Sequence, residues 1–384
     1  MKTLLTYVCI SLLLISGACA KAQNVDETVV NSIGKKYCPD KRIGIWDVET
    51  QITDGKVTVT GVTDNINAIN ELKAISAKSS TPCDINISLL PDGTLPGKWA
   101  LTILPYAHHR VSPGHEYELT TQSLMGNPMK VLAKDDDWYR VQTPDGYIAW
   151  VIGSSIKILD DKDFNEWQNS ERYIVTDIYS YLYDSPNENA DIVTDVVLGN
   201  ILVGKDFGNG YTELYTPDGR KGYIGNQSVS KLDNWAQQEF NSDKIVNTAK
   251  RLLGSTYTWG GTSTKGVDCS GLTKTSYFSN GIILQRDASQ QVLYGKKINP
   301  KDWKQAKKGD LLYFGTKSGK ITHTAIYMSD GNYIHASGRV KINSVDPNSK
   351  TYLTTPFHSI NRIEGNVDTK GIISVKNHPW YFKK

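Results

Sequence analysis

Long apolar runs are nearly absent from these 384 residues. The first 20 hold one, and no later segment is long and apolar enough to cross a bilayer as a helix. An excess of charge of one sign is also missing. Forty-three Lys+Arg stand against 40 Asp+Glu, a formal net charge of +3. So even a balance argues against nucleic acid or a membrane surface as partner. Cysteine is scarce, at five residues, and no Cys or His shows the close spacing of a zinc site. What remains is ordinary for a soluble globular protein: 39% hydrophobic and 22% charged residues. The 21 Tyr and 9 Trp suit β-rich modules and aromatic-lined grooves. The length suggests two to three domains.

The N-terminus reads as an export signal over residues 1–20. Lys2 supplies the positive end, Leu4 to Ile15 the apolar core, and Ala18-Cys19-Ala20 a small-x-small site for cleavage after Ala20. Gly17-Ala18-Cys19 also fits the end of a lipoprotein signal, in which Cys19 would be acylated. Simple cleavage is preferred because Ser16 stands where a Leu is usual. A buried N-terminal helix is the structural alternative. The expected location is therefore outside the cytoplasm, periplasmic or secreted, or lipid-anchored through Cys19. Cys9 and Cys19 fall in the signal, leaving Cys38, Cys83 and Cys269. Cys38 and Cys83 either pair or stay as two separate thiols. Cys269 is the odd cysteine, and an odd thiol in an exported protein calls for an explanation.

Residues 21–100 read as an α/β segment with no legible role. Val25 to Ile33 and Asp64 to Ala77 suggest helices; Arg42 to Val48, Lys56 to Val62 and Asp84 to Leu90 suggest strands. A weak internal repeat follows. Thr143-Pro144-Asp145-Gly146 and Thr216-Pro217-Asp218-Gly219 lie 73 residues apart, each between short alternating strands. That pattern predicts two similar β modules, at 102–158 and 172–232, which resemble bacterial SH3-like barrels. From 235 to 384 the pattern becomes helices followed by antiparallel strands, an α+β domain. One helix is expected to start near Ser242 as its cap and to end at Gly254. A second opens at Asp268-Cys269-Ser270-Gly271 and stops at Gly281.

Cys269 would thus sit in the first turn of a helix, where unpaired N–H groups favour a thiolate and lower the thiol pKa. A histidine could lower it further and later protonate a leaving amine. His323 and His335 lie on successive strands downstream and supply a base and its orienting partner; singly, each is as readily a satisfied core histidine. There is a geometric condition. A plain two-residue turn at Asp330-Gly331 pairs Tyr327 with Ile334 and puts the two histidines on opposite faces. A shared face needs an odd loop or a bulge near 328–333.

Five pieces in order carry a family resemblance: Tyr257-x-Trp259-Gly260-Gly261, Asp268-Cys269-Ser270-Gly271, Lys308-Gly309-Asp310-Leu311, His323-x-Ala325-Ile326-Tyr327 and Ile334-His335-Ala336. Together they resemble the NlpC family of papain-like cell-wall cysteine peptidases, over about 242–345. The resemblance implies Cys269 as nucleophile, His323 as base and His335 as the group orienting it. It also implies that Tyr257 lines the site and that the Cys269 amide helps hold the oxyanion. Thr324-Ala325 stands where Val-Gly is usual. Two SH3-like barrels upstream make the chain similar to the γ-D-glutamyl-L-diamino acid endopeptidases, or dipeptidyl-peptidase VI subgroup. There the first barrel closes one end of the groove and selects short wall peptides with a free N-terminal L-Ala. The positions this implies for the substrate are Glu118, Tyr147 and Asp287 at the amine and Ser270 at a substrate carboxylate, with Tyr257 beside the nucleophile and Asp268 and Ser289 as further contacts. Ser289 follows Ala288, although the relatives' Ser comes directly after the Asp. Unaided by the resemblance, Glu118 reads as a solvated strand carboxylate.

The resemblance therefore implies hydrolysis of the γ-D-glutamyl–diamino acid bond in peptidoglycan-derived peptides, by a monomer needing neither metal nor cofactor. Three rivals differ in kind. One is the same chemistry on intact wall with the barrels as anchors. Another is a non-catalytic wall-binding protein, and the third an amidase or acyltransferase on the same fold.

Overall fold

The computed structural model describes residues 24–383. The export signal, cleavage after Ala20 and the Cys19 anchor lie outside the described residues. The chain divides into two compact bodies. The smaller comprises the described residues up to Pro39 together with Ile45–Leu89; the larger comprises Asp40–Gly44 and the described residues from Leu90.

In the smaller body, strands Trp46–Thr53 and Lys56–Thr63 form an antiparallel hairpin. Its two-residue turn, Asp54-Gly55, takes positive φ at both positions, as the twist of such hairpins requires. A helix, Ile66–Ser76, then crosses to Cys83–Leu89, which pairs parallel with Lys56–Thr63. A further helix, Glu27–Tyr37, contributes Val29, Val30 and Ile33 to the same core as Val57, Val59 and Leu72. The strand expected from Arg42 begins at Trp46 instead, because amides of Ile43 and Gly44 both turn back onto the Asp40 carbonyl. Cys38 and Cys83 are both free thiols, so of the two alternatives the unpaired one holds. The Cys38 Sγ donates to the Ile45 carbonyl at 3.3 Å.

The larger body opens with two β modules. Seven strands from Trp99–Thr102 to Ile156–Leu159 make the first sheet; seven from Arg172–Val175 to Val229–Lys231 make the second. Counting strands within each module, both sheets run in the order seventh, first, fourth, fifth, sixth, second, third. The weak sequence repeat is thus a repeat of topology. Each TPDG turn closes the fifth–sixth hairpin, where Gln142 pairs with Ile148 and Tyr215 with Lys221. The turns also bind outward. Asp145 makes an ion pair with Lys274 at 2.8 Å, its side chain fully enclosed. The first module is thereby pinned to the helix that carries Cys269.

The remainder is a six-stranded antiparallel sheet faced by helices. Its strands, in spatial order, are Lys296–Ile298, Phe357–Arg362, Leu311–Gly315, Ile321–Ser329, Asn332–Ser337 and Arg339–Ser344. The helix Ser242–Arg251 starts one residue earlier than expected, because Asn241 rather than Ser242 is the cap, its side chain accepting from the Lys244 amide. Its Ile245, Val246 and Ala249 pack with Leu272 and Tyr277 of the Cys269–Phe278 helix over Leu311, Ile326 and Ile334. This core holds the nucleophile helix against the central strands.

Candidate active site

Asp268 caps the Cys269–Phe278 helix, accepting from the Gly271 amide at 2.7 Å. Its carboxylate also accepts from the Gly260 amide at 3.1 Å and the Ser270 hydroxyl at 3.1 Å. Arg286 completes the shell: Nη2 donates to Oδ2 at 2.5 Å and Nη1 to Oδ1 at 3.2 Å, with a third bond from Nη1 to Ser270 Oγ at 2.9 Å. A charge this deeply enclosed needs such pairing, since burial of an unpaired carboxylate is costly. The glycines of the motifs allow the close approach. A Cβ on Gly271 would strike the Gly261 carbonyl, and one on Gly260 would strike the Leu119 backbone.

The helix start places Cys269 with only 8% of its surface exposed. The backbone amides of Ser270 and Thr324 favour the thiolate there. The expectation of a lowered thiol pKa is nonetheless overturned. Burial pushes Cys269 up to about 11, with the Asp268 carboxylate adding to the shift against the pull of those amides and Arg286. His323 is pushed down to about 3, again chiefly by burial, with His335 and Lys341 opposing a positive charge. Both shifts favour a neutral thiol and a neutral imidazole at rest.

The condition on the histidines is met. Ile326 pairs with Ile334 and Tyr327 with Tyr333, but Ser329 pairs with Asn332, so Met328 is the extra residue of a bulge. The turn itself is the two-residue Asp330-Gly331. The bulge shifts the register by one and brings both histidines to the same side. His323 Nε2 then lies 2.7 Å from His335 Nδ1.

A residue that sequence reasoning missed fixes the direction of that hydrogen bond. His335 Nε2 lies 2.8 Å from Asn343 Oδ1, while Asn343 Nδ2 donates to the Thr351 carbonyl at 2.8 Å. The amide oxygen can only accept, so His335 carries its proton on Nε2. Its Nδ1 is then an acceptor, burial holding His335 below the usual histidine range and so neutral. His323 must donate from Nε2, which leaves Nδ1 of His323 unprotonated. That is the tautomer a general base needs.

A cleft of about 320 Å³ opens at Cys269. Glu118, Tyr147, Tyr257, Asp268, Ser270, Asp287 and Ser289 all line it, together with Trp259, Arg286 and Arg42. Every expected substrate-contacting residue is therefore in one place. The first module supplies Glu118 and Tyr147. It is bolted there by the Trp259 Nε1 donating to Glu118 Oε1 at 2.7 Å and by the Thr262 amide donating to Gln122 Oε1 at 2.8 Å. Burial raises the phenol pKa of Tyr147 and Tyr257, so both keep a hydroxyl to donate. Such a cleft sits at the small end of the range for ligand pockets and suits a short chain. Arg286 could have been suspected from its place beside Asp287, and Asn343 from its strand alternation after His335. Arg42 carries no local signal.

Comparisons with known proteins bear on the family and the fold. The NlpC/P60 family model matches residues 254–362, and the bacterial dipeptidyl-peptidase SH3 domain model matches residues 110–156. A gamma-D-glutamyl-L-lysine dipeptidyl-peptidase of Bacillus cereus is 31% identical over 235 residues, covering 57% of this chain and 67% of that protein. Dipeptidyl-peptidase 6 of Lysinibacillus sphaericus is 27% identical over 263 residues, 66% of this chain and 94% of the relative. The crystal structure of an NlpC/P60 family protein from Bacillus cereus superposes with a TM-score of 0.60 at 24% identity, covering 69% of this chain and 99% of that one. That likeness speaks for the fold.

Proposed function

The chain belongs to the NlpC/P60 family of cysteine peptidases, and from that premise we propose that it cleaves the γ-D-glutamyl–diamino acid bond of short peptidoglycan-derived peptides with a free N-terminal L-Ala. The observation that carries the reading is the meeting of Glu118 and Tyr147 with Asp287 in the cleft beside Cys269. Two carboxylates and a phenol suit a charged α-amine, and the first module leaves little room for a longer chain. Two relatives are named for dipeptidyl-peptidase activity, one of them on γ-D-glutamyl-L-lysine.

In this reading Cys269 attacks the γ-carbonyl of D-Glu. Its proton passes to Nδ1 of His323, and the thiolate forms a tetrahedral adduct with the carbonyl carbon. The Cys269 amide helps hold the oxyanion. His323 then gives the proton to the amine of the departing diamino acid, leaving a thioester. Water, deprotonated by His323, hydrolyses the thioester and restores the thiol. With both groups neutral at rest, proton transfer to His323 accompanies attack, and the oxyanion donors stabilise the charge that develops on the carbonyl oxygen. Tyr257, Ser270 and Ser289 hold the substrate beside the nucleophile. The export signal fits turnover of such peptides outside the cytoplasm, in a monomer.

The test is to incubate the protein with L-Ala-γ-D-Glu-diaminopimelate and identify the products by mass. Release of L-Ala-γ-D-Glu and free diaminopimelate, lost in Cys269→Ala, is expected. Cleavage at any other bond, or persistence in the variant, overturns the reading.

A further inference from the structure

Arg42 belongs to the five-residue segment Asp40–Gly44, which groups with the larger body although the chain on both sides groups with the smaller. The segment is docked through its backbone, the Ile148 amide donating to the Arg42 carbonyl at 2.7 Å. Its guanidinium ends on the wall of the cleft. There Nε and Nη2 donate to the two oxygens of Asp40, each at 2.8 Å. Nη1 donates to Asp287 Oδ2 at 2.8 Å and to Ser289 Oγ at 2.9 Å. Asp40 is itself held, accepting from Gln290 Nε2 at 3.0 Å.

A guanidinium has five N–H donors, and these four bonds leave one. Arg42 is therefore a built part of the wall, with no free fork for a substrate carboxylate. Its effect falls on Asp287. A second cation competes for that carboxylate: Arg286 Nη1 lies 3.9 Å from Asp287 Oδ1. Arg42 holds Oδ2 and so keeps the carboxylate from closing onto Arg286.

We propose that Arg42 is a positioning residue for substrate selection: it fixes Asp287 in the orientation that accepts the substrate's α-amine. This rests on the reading above that Asp287 binds that amine. The alternative role of Arg42, simple charge, predicts the opposite effect. The charged residues lining the cleft are Glu118, Asp268 and Asp287 against Arg42 and Arg286, one net negative charge. Deleting Arg42 would make the cleft more negative, and an amine would bind tighter on charge alone.

The experiment measures kcat and KM for L-Ala-γ-D-Glu-L-Lys and its N-acetylated form with wild type, Arg42→Ala and Arg42→Lys. In Arg42→Ala, KM for the free-amine peptide should rise about tenfold, a charge-assisted hydrogen bond discounted for partial exposure, with kcat within about twofold. Arg42→Lys keeps the charge but cannot reach Asp40, Asp287 and Ser289 together, so its KM rises by less. An unchanged or lowered KM in Arg42→Ala overturns the proposal and leaves the substrate reading intact. So does a fall in kcat alone, which would mark a general structural role. A wild type that cleaves both peptides equally removes the substrate reading and the proposal with it.

Discussion

Replacing Arg286 by Met removes the cation from a buried pair while leaving its partner in place. Arg286 is 1% exposed, and three of its bonds reach Asp268 and Ser270. Asp268 is 6% exposed and keeps two backbone donors, Gly260 and Gly271. Breaking a buried pair from one side costs about 3–5 kcal/mol, because the remaining charge stays enclosed. For a body of this size each kcal/mol moves the melting midpoint by about 2 °C. Arg286→Met should thus lower the main thermal transition by about 6–10 °C, read by circular dichroism or calorimetry. Removing both charges in Asp268→Leu/Arg286→Met should cost less than the sum of the single changes, since no lone ion is left. The double variant still loses the helix cap, about 1 kcal/mol. A melting point for Arg286→Met within about 2 °C of wild type, or simple additivity in the double variant, would refute the buried-pair reading.

Two further outcomes follow from the site and the burial of its groups. Asn343→Ala frees His335 to carry its proton on either nitrogen, so kcat should fall about tenfold to a hundredfold with little change in KM, and Asn343→Asp should largely restore it; steady-state kinetics that find kcat unchanged in Asn343→Ala would remove the relay. Acid should destabilise the fold through its neutral imidazoles. His323 and the fully enclosed His109 are both pushed down to about 3 by burial, against 6.5 for an ordinary histidine. The unfolded chain therefore binds protons below pH 6.5 that the folded one refuses until about pH 3. Stability is level above 6.5 and falls as pH drops through that window, by at most about 1.4 kcal/mol per pH unit for each imidazole. Urea midpoints at pH 7.5 and 5 measure it, and His109→Gln should flatten the slope.

Much of the site was legible because its residues sit in local patterns. Asp268-Cys269-Ser270-Gly271 combines a helix cap, a nucleophile and a glycine that must pass a carbonyl, all within four positions. The His323–His335 pair could be tested on paper, since strand alternation alone demanded the bulge now found at Met328. The thiol pKa went the other way because a helix end is a local feature, whereas the burial that outweighs it comes from the whole cleft. Arg42 was invisible for the same kind of reason. It lies 245 positions before Asp287, within a stretch that read as a strand, and only the turn at Asp40–Gly44 aims it at the site. The repeat of the two modules was faint in sequence because topology constrains turn residues and strand faces, and little else.

The central claim is that the cleft at Cys269 reads a free amine at the far end of a short peptide. The most direct measurement compares kcat/KM for L-Ala-γ-D-Glu-diamino acid with that for the same peptide N-acetylated on L-Ala. Acetylation removes the charge that Glu118 and Asp287 would pair and adds bulk against the first module, so cleavage should be abolished. Equal cleavage of the two peptides would contradict the account and point instead to an endopeptidase of intact wall.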